Sequence, residues 1–258
     1  MQIASWNVNS LRARLAHALD WLKANPVDVI GMQELKLQDE LFPHAEFEAL
    51  GYKAAVNGQK TYNGVGILSR HPLEDVVRDM PAFPDDHKRV IAATVQGVRI
   101  VNVYVPNGQA VGSEKYAYKL RWLAALGGYL KEELSRHGRL AVTGDFNVAP
   151  TDADVHNPDA WREGVLCSTP EREAFAALLG TGLQDAFSLF PSPEQRFTWW
   201  DYRMGAFRRK MGLRIDHILV SADLARNCQS FQIDTAPRRL EKPSDHAPVV
   251  ATIQTPVA

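Results

Sequence analysis

Residues 89–105, RVIAATVQGVRIVNVYV, hold two β-branched runs, 89–95 and 98–105, separated only by Gln96-Gly97. A two-residue connection ending in glycine joins antiparallel strands in a hairpin, whereas parallel neighbours need a crossover of a dozen or more residues. This stretch therefore excludes a purely parallel α/β protein. Outward from it, Ser113 can cap a long helix whose apolar positions include Tyr116, Leu120, Leu123, Leu130 and Leu134. Gly127-Gly128 inside that helix costs about 1 kcal/mol per glycine relative to alanine, which permits a break there. RLAVTGDFN (139–147) reads as a further buried strand.

Toward the N-terminus, IASWNVN (3–9) reads as a strand, and Asn9-Ser10 offers a cap for a helix with Leu11, Leu15, Leu19 and Leu22 on one face. Pro26 ends it, and VDVIGMQ (27–33) and GVGILS (64–69) are short apolar strands. Toward the C-terminus, 149–168 is rich in Asp, Asn and Pro and reads as a long functional loop. Thr169-Pro170 opens another helix, with proline at the tolerated first position. FTWW (197–200), IDHILVS, SFQID and APVVATI supply four more strand candidates. Both halves repeat strands, a helix and strands again. Two antiparallel-rich sheets packed face to face with helices outside would bury these runs, and no linker interrupts a single domain over 1–258.

The composition agrees with a globular fold. No run approaches the ~20 apolar residues of a membrane span. MQIASWNVNS lacks the basic and apolar regions of a secretory signal, and Cys167 and Cys228 cannot form a disulfide framework. A reduced, cytoplasmic protein with no membrane partner is expected. The net charge of −1, from 29 Lys+Arg against 30 Asp+Glu, argues against a protein that coats nucleic acid over its whole surface. It leaves room for a locally basic face.

Chemistry gathers where the apolar strands end. VDVIGMQ stops at Glu34, RLAVTG at Asp145 and GLRI at Asp216, while Asp245-His246 precedes APVVATI; Asn7 and Asn147 sit similarly. One acid after a strand is usually a turn residue or a helix cap. Six acid or amide positions placed alike indicate convergence on one rim, because burying such groups unpaired is expensive. An oxygen-rich set with one attendant histidine suits a hard ion, Mg²⁺ or Mn²⁺, better than Zn²⁺. GxSxG, GxxxxGK[ST] and HExxH are all missing, and Gly64-Val65-Gly66 runs into a strand, so it is a poor dinucleotide signal.

These motifs resemble, in order, the exonuclease III branch of the AP endonucleases, within the endonuclease/exonuclease/phosphatase superfamily. They are Trp6-Asn7-Val8-Asn9, Gln33-Glu34-Leu35-Lys36, Tyr104-Val105-Pro106-Asn107-Gly108, Gly144-Asp145-Phe146-Asn147, Arg214-Ile215-Asp216 and Ser244-Asp245-His246-Ala247-Pro248. The resemblance runs from Met1 to about Ile253 and implies a four-layered α/β sandwich, classed α/β (α+β). It also implies metal-dependent hydrolysis of phosphodiesters in double-stranded DNA with abasic sites or 3′ ends. Glu34 is implied as principal metal ligand, with Asn7, Asp145, Asn147, Asp245 and His246 completing the metal set. Asp145 is implied to activate water, Asn147 to hold water or phosphate, Tyr104 to bind phosphate or assist the leaving oxygen, and His246 to contact the scissile phosphate. Asp216 is the candidate to orient His246. A transition state of this charge needs a metal, hydrogen-bond donors and a base, so the residue types suit the chemistry.

Arg203, Arg208, Arg209, Lys210 and Arg214 lie in a stretch without acids, and Lys115, Lys119 and Arg121 form a second basic cluster. Arg12, Arg14 and Lys36 lie near the proposed rim. Beside such a centre these read as clamps on the DNA backbone. Adjacent tryptophans in a strand face opposite ways, so one of Trp199 and Trp200 belongs to the core. By motif Trp199 meets the nucleotide, and Leu213 and Ile215 would wall its pocket; Asn107 is implied as a DNA contact. His217 follows Asp216 and should face away from it.

The nearest alternative is a 3′→5′ exonuclease and 3′-phosphatase with little AP endonuclease activity. A phosphoinositide or sphingomyelin phosphodiesterase is opposed by Trp199 and the acid-free basic loop. A silent DNA-binding module is opposed by the filled catalytic positions. A monomer with no obligate protein partner is expected.

Overall fold

The β-branched runs become the strands of two six-stranded sheets. In chain order they are β1 (Gln2–Asn7), β2 (Val29–Gln33), β3 (Lys53–Asn57), β4 (Val65–Ser69), β5 (Glu74–Arg78), β6 (Val90–Val95), β7 (Val98–Tyr104), β8 (Leu140–Asp145), β9 (Leu183–Asp185), β10 (Asp216–Ser221), β11 (Cys228–Ile233) and β12 (Val249–Ile253). The first sheet has the order β11-β12-β1-β2-β4-β3 and the second β5-β6-β7-β8-β10-β9. Only β1–β2 and β7–β8 are parallel, and β6–β7 is the hairpin expected at Gln96-Gly97. This computed structural model describes residues 1–254 except 192, 193 and 195; positions 255–258 of the expected domain lie outside the described residues.

Four layers follow from where the apolar faces point. Ile3, Val29, Ile67, Ile91, Ile100 and Ile218 meet between the sheets. Trp6, Leu11, Leu22 and Ile30 pack helix Leu11–Ala24 on the first sheet, and Leu123, Leu130, Val142 and Phe175 pack two helices on the second. A buried polar seam crosses the inter-sheet core. Asn102 Nδ2 donates to the carbonyls of Met32 (2.8 Å) and Gly66 (2.9 Å), and its Oδ1 accepts from Gln33 (2.7 Å) and Thr143 (3.2 Å). A β-carbon at residue 31 would collide with Asn102 and Thr143, so the seam requires Gly31.

Several expectations change. FTWW is not a strand: Trp199 makes isolated bridges to Leu213 and His246, touching a loop on each side at one point. Helix Glu114–His137 runs through Gly127-Gly128 unbroken. A β-carbon at Gly127 would stand 3.6 Å from Leu178, an ordinary van der Waals contact with helix Thr169–Leu179. An irregular residue falls instead in helix Leu11–Ala24, at Arg14. Ser10 occupies the N-cap position of its helix with φ 84° and no side-chain capping bond, whereas Ser113 caps as expected, accepting from Tyr116 N at 3.1 Å. β3, β5 and β9, short or polar, were not readable as strands. No helix among the described residues is long and apolar enough to cross a membrane.

Candidate active site

The topology brings the strand ends together. Asn7 and Gln33 close the parallel pair β1–β2, and Tyr104 and Asp145 close β7–β8 in register. β10 runs antiparallel to β8, so its first residue, Asp216, faces Asp145. Ser244 Oγ donates to Asn7 O at 2.7 Å and accepts from His246 N at 3.2 Å, which locks the Ser-Asp-His turn onto the end of β1. Thr198 Oγ1 accepts from the backbone N–H of Ile215 (3.0 Å) and Asp216 (3.1 Å) and fixes the start of β10.

Glu34, Asp145 and His246 each offer an atom to one cluster in which all such atoms lie within 4.8 Å of one another. Asn7 Nδ2 bridges the two acids, donating to Glu34 Oε1 (2.8 Å) and Asp145 Oδ2 (2.9 Å), while its Oδ1 accepts from Asn9 N (2.9 Å). Asn7 therefore aims a donor at the carboxylates, and the expected ligation through its oxygen would require turning the amide over. Lys36 pairs with Glu34 at 2.9 Å. Asp245 stands outside the cluster: its carboxylate accepts from Asn9 Nδ2 (2.9 Å) and Trp199 Nε1 (3.0 Å). Asn147 N donates to Asp145 Oδ1 at 2.9 Å, and Asn147 Oδ1 accepts from Asn107 Nδ2 at 3.1 Å.

His246 Nδ1 lies 2.8 Å from Asp216 Oδ2, and its Nε2 is 3.7 Å from Asp145 Oδ2, beyond hydrogen-bond length. Burial works against the imidazolium, but the negative charges of Asp216, Asp145 and Asp245 outweigh it and hold the pKa up. His246 thus has Nδ1 committed to Asp216, while its Nε2 falls in the cluster with Glu34 and Asp145. Asp145 is pushed up by burial, opposed by His246 and reinforced by Asp216. A bound cation would reverse that shift. Tyr104, against the Glu34 and Asp145 charges, is held well above its ordinary pKa by burial first and by those charges second.

The aromatic pair divides between the site and the core although no strand imposes the alternation. Trp199 is half-buried with its indole on Asp245, while Trp200 is buried among Phe197, Ala206 and Phe207. Leu213 and Ile215 are 0% and 1% exposed, so they back Trp199 from behind and form no open wall, contrary to expectation. Arg203, Arg208, Arg209, Lys210, Lys115, Arg12 and Arg121 are exposed, and Arg203 pairs with Asp201 at 2.8 Å. Two of the expected clamps are not on the surface. Arg214 is buried on Asp154 and Asp185 at 2.6 Å each, and Lys119 is 0% exposed. A cavity of about 690 Å³ beside Trp200, Phe207, Arg208 and Arg239 lies away from the carboxylates, so converging charge marks the centre better than void volume does. Sequence reasoning offered Asn9 only as a helix cap and a motif member, with no part in the site, yet it joins Asp245, Lys36 and Tyr202. Its signal was the spacing of two from Asn7 at a strand end.

The endonuclease/exonuclease/phosphatase family pattern matches residues 4–246. The chain belongs to this family. It is 38% identical to an exodeoxyribonuclease III of Haemophilus influenzae over 97% of this chain and 99% of the relative. Among solved structures it is similar to the Neisseria 3′ phosphatase NExo bound to a product DNA hairpin, with 47% identity, a TM-score of 0.97 and coverage of 99% of this chain and 100% of that one. It is also similar to an AP endonuclease from Archaeoglobus fulgidus, with 39% identity, a TM-score of 0.95 and the same coverage. The family depends on a divalent metal, and the oxygen donors of Glu34 and Asp145 fit a hard ion.

Proposed function

We propose that this chain is a DNA-repair phosphodiesterase that cleaves 5′ to abasic sites and also trims nucleotides and phosphates from 3′ ends, with Mg²⁺ (or Mn²⁺) as its ion. The observation that carries this reading is the meeting of Glu34 and His246, on the first sheet's side, with Asp145 and Asp216 from the second, at the rim of this family's fold. The 1–258 chain acts as one catalytic domain, as a monomer and in the cytoplasm.

Glu34 and Asp145 would hold the metal, which supplies Lewis-acid stabilisation of charge on the phosphoryl oxygens. Asp145, fixed by Asn7 and the Asn147 N–H, accepts the proton of the attacking water. Asn147 orients that water or the phosphate. His246, cationic and braced by Asp216, donates from Nε2 to a non-bridging phosphate oxygen as negative charge grows there. Tyr104, kept protonated, donates to the phosphate or the leaving oxygen. Trp199 packs against the deoxyribose, and exposed Asn107, Lys115, Arg203 and Arg208 contact the DNA.

A second reading, that 3′-end processing dominates, is favoured by the higher identity to the 3′ phosphatase (47%) than to the AP endonuclease (39%). Three duplexes carrying an internal abasic site, a recessed 3′ end or a 3′-phosphate, each incubated with Mg²⁺ or chelator, separate the readings. Cleavage of all three supports the first reading, and cleavage of the last two alone supports the second. Hydrolysis of none, or undiminished hydrolysis in chelator, refutes both.

A further inference from the structure

Lys119, grouped by sequence with the DNA clamps, is completely buried on helix Glu114–His137. Its Nζ donates to the backbone carbonyls of Asn147 (2.6 Å) and Asn107 (3.1 Å) and pairs with Glu171. An ammonium has three N–H donors, and these acceptors use all of them. Glu171, on helix Thr169–Leu179, also accepts from Leu166 N (3.0 Å), Ser168 N (3.2 Å) and Ser168 Oγ (2.6 Å). With the Ser168 hydroxyl proton committed to Glu171, the Tyr116 hydroxyl donates to Ser168 Oγ across 2.6 Å. One buried charge thus joins both outer helices to the loops that follow β7 and β8.

The Asn147 loop is where this anchor acts. Asn147 has φ 49°, in the left-handed region that asparagine adopts more readily than other non-glycine residues. Its Nδ2 donates to Val105 O at 2.9 Å and its N–H to Asp145 at 2.9 Å, but its carbonyl is held by Lys119. Asn107 Nδ2 then reaches Asn147 Oδ1 at 3.1 Å, so the two side-chain amides form one array whose backbone rests on one ammonium. An apolar side chain would fill the same space without the desolvation an ammonium suffers. What it could not do is bind two carbonyls from different loops.

We propose that Lys119 is a positioning residue that never meets DNA and that holds the Asn107 and Asn147 loops in the geometry needed at the scissile phosphate. The inference rests on the phosphodiesterase reading above. It is tested with Lys119→Met, the double variant Lys119→Met/Glu171→Gln, and Lys119→Arg. The measurements are Tm, kcat and KM with Mg²⁺ on the 3′-end duplex, DNA Kd in chelator, and the side-chain amide resonances of Asn107 and Asn147.

Lys119→Met should lower Tm by stranding Glu171, and the double variant should recover most of that loss. In the double variant kcat should remain down by about 10- to 100-fold, the scale set by sub-ångström misplacement, with KM and Kd nearly unchanged and both amide resonances shifted. Recovery of kcat together with Tm would reduce Lys119 to a stabilising residue and overturn the proposal. A weakened Kd with normal kcat would restore it to the clamps and do the same. If neither Met variant folds, Lys119→Arg decides, because a planar fork keeps the charge yet cannot match the ammonium's contacts. Lowered kcat at constant KM supports the proposal, and wild-type kcat refutes it. Should the wild type hydrolyse no DNA, the functional reading fails by itself, and unshifted Asn107 and Asn147 resonances in the folded variants would still refute the positioning.

Discussion

Two buried histidines flank the start of β10, and they are finished differently. His217 has both ring nitrogens bonded: Nδ1 lies 2.9 Å from Arg214 Nη1, and Nε2 lies 3.0 Å from Val148 O. A guanidinium can only donate, so Nδ1 accepts and Nε2 carries the proton. Phe146 and Phe175 enclose the ring at centroid distances of 5.4 and 4.7 Å. Arg214 also ties Asp154, in the 149–168 loop, to Asp185 on β9. His246 is braced on one side only, by Asp216, whose Oδ1 is buried without a partner among the described residues. Its Nε2 has no bonded acceptor within the cluster of acids. The closed network spends its hydrogen bonds on the fold, whereas the open one keeps donors and charge for a ligand. Unsatisfied groups next to satisfied ones of the same type are where function is expected.

The largest effect should separate the two rings. His246→Asn should lower kcat/KM by about 10²- to 10⁴-fold with little change in Tm, the range of a lost proton donor at the reacting group. His217→Asn should leave kcat/KM near wild type at 25 °C and cost about 1–3 kcal/mol of stability through a broken buried network. Denaturant unfolding and steady-state kinetics on both variants would break the comparison if the losses were exchanged.

Next in size is the tryptophan pair. Trp199→Ala removes an aromatic surface worth about 1–3 kcal/mol against a nucleotide, or roughly ten- to hundredfold in rate. The loss should be large on abasic or 3′-terminal DNA and small on a minimal phosphodiester that has no sugar to dock. Trp200→Ala should instead destabilise by about 3–5 kcal/mol through a cavity. Equal slowing of every substrate by Trp199→Ala would move that residue from the sugar pocket to support of the catalytic centre.

The contrast extends to arginines. Arg214 is closed in ion pairs, whereas Arg208, Arg209 and Lys210 are exposed. Neutralising the three exposed cations should reduce the slope of log Kd against log salt by up to about 2–3 and leave kcat at saturating DNA alone. An unchanged slope in a titration from low to moderate salt would mean that the loop faces away from the duplex.

The smallest effect sharpens the closed network. Burial raises the Asp185 pKa, but the Arg214 guanidinium overcomes it and holds the carboxyl well below its ordinary range. A depressed folded-state pKa contributes stability that is present above the unfolded value and lost as pH falls through the folded one. Asp185→Asn should therefore be less stable than wild type at neutral pH, with the gap narrowing below about pH 4, near the ordinary carboxylate pKa. A constant gap down to acid would show that packing, and not ionisation, holds this side of the strand.

Much was legible in the sequence because it is written locally. The hairpin at 89–105 needs only alternation and a turn, and polar residues at the ends of apolar strands announce a rim. Asp145, Asp216 and Glu34 follow from that placement alone, and an oxygen-rich set selects a hard ion. β5 was missed because four of its five residues are exposed and none is buried, and FTWW was misread because its apolar run pairs at one residue only.

What the tertiary structure alone decided is which charges stay open. Lys119 and Lys115 are four residues apart on one helix, yet one is buried and the other exposed. Arg214 reads as one more cation in a basic stretch until Asp154, 60 residues away, and Asp185, 29 away, close around it. His246 meets Asp216 across 30 residues, and Lys119 meets Glu171 across 52. A sequence states the type of each ionisable group, but its partners, its burial and so its energy come from residues brought near only by folding. The chain alone therefore specified two sheets and a metal-suited acidic rim. Packing between distant segments chose which of its histidines, lysines and arginines were left for substrate.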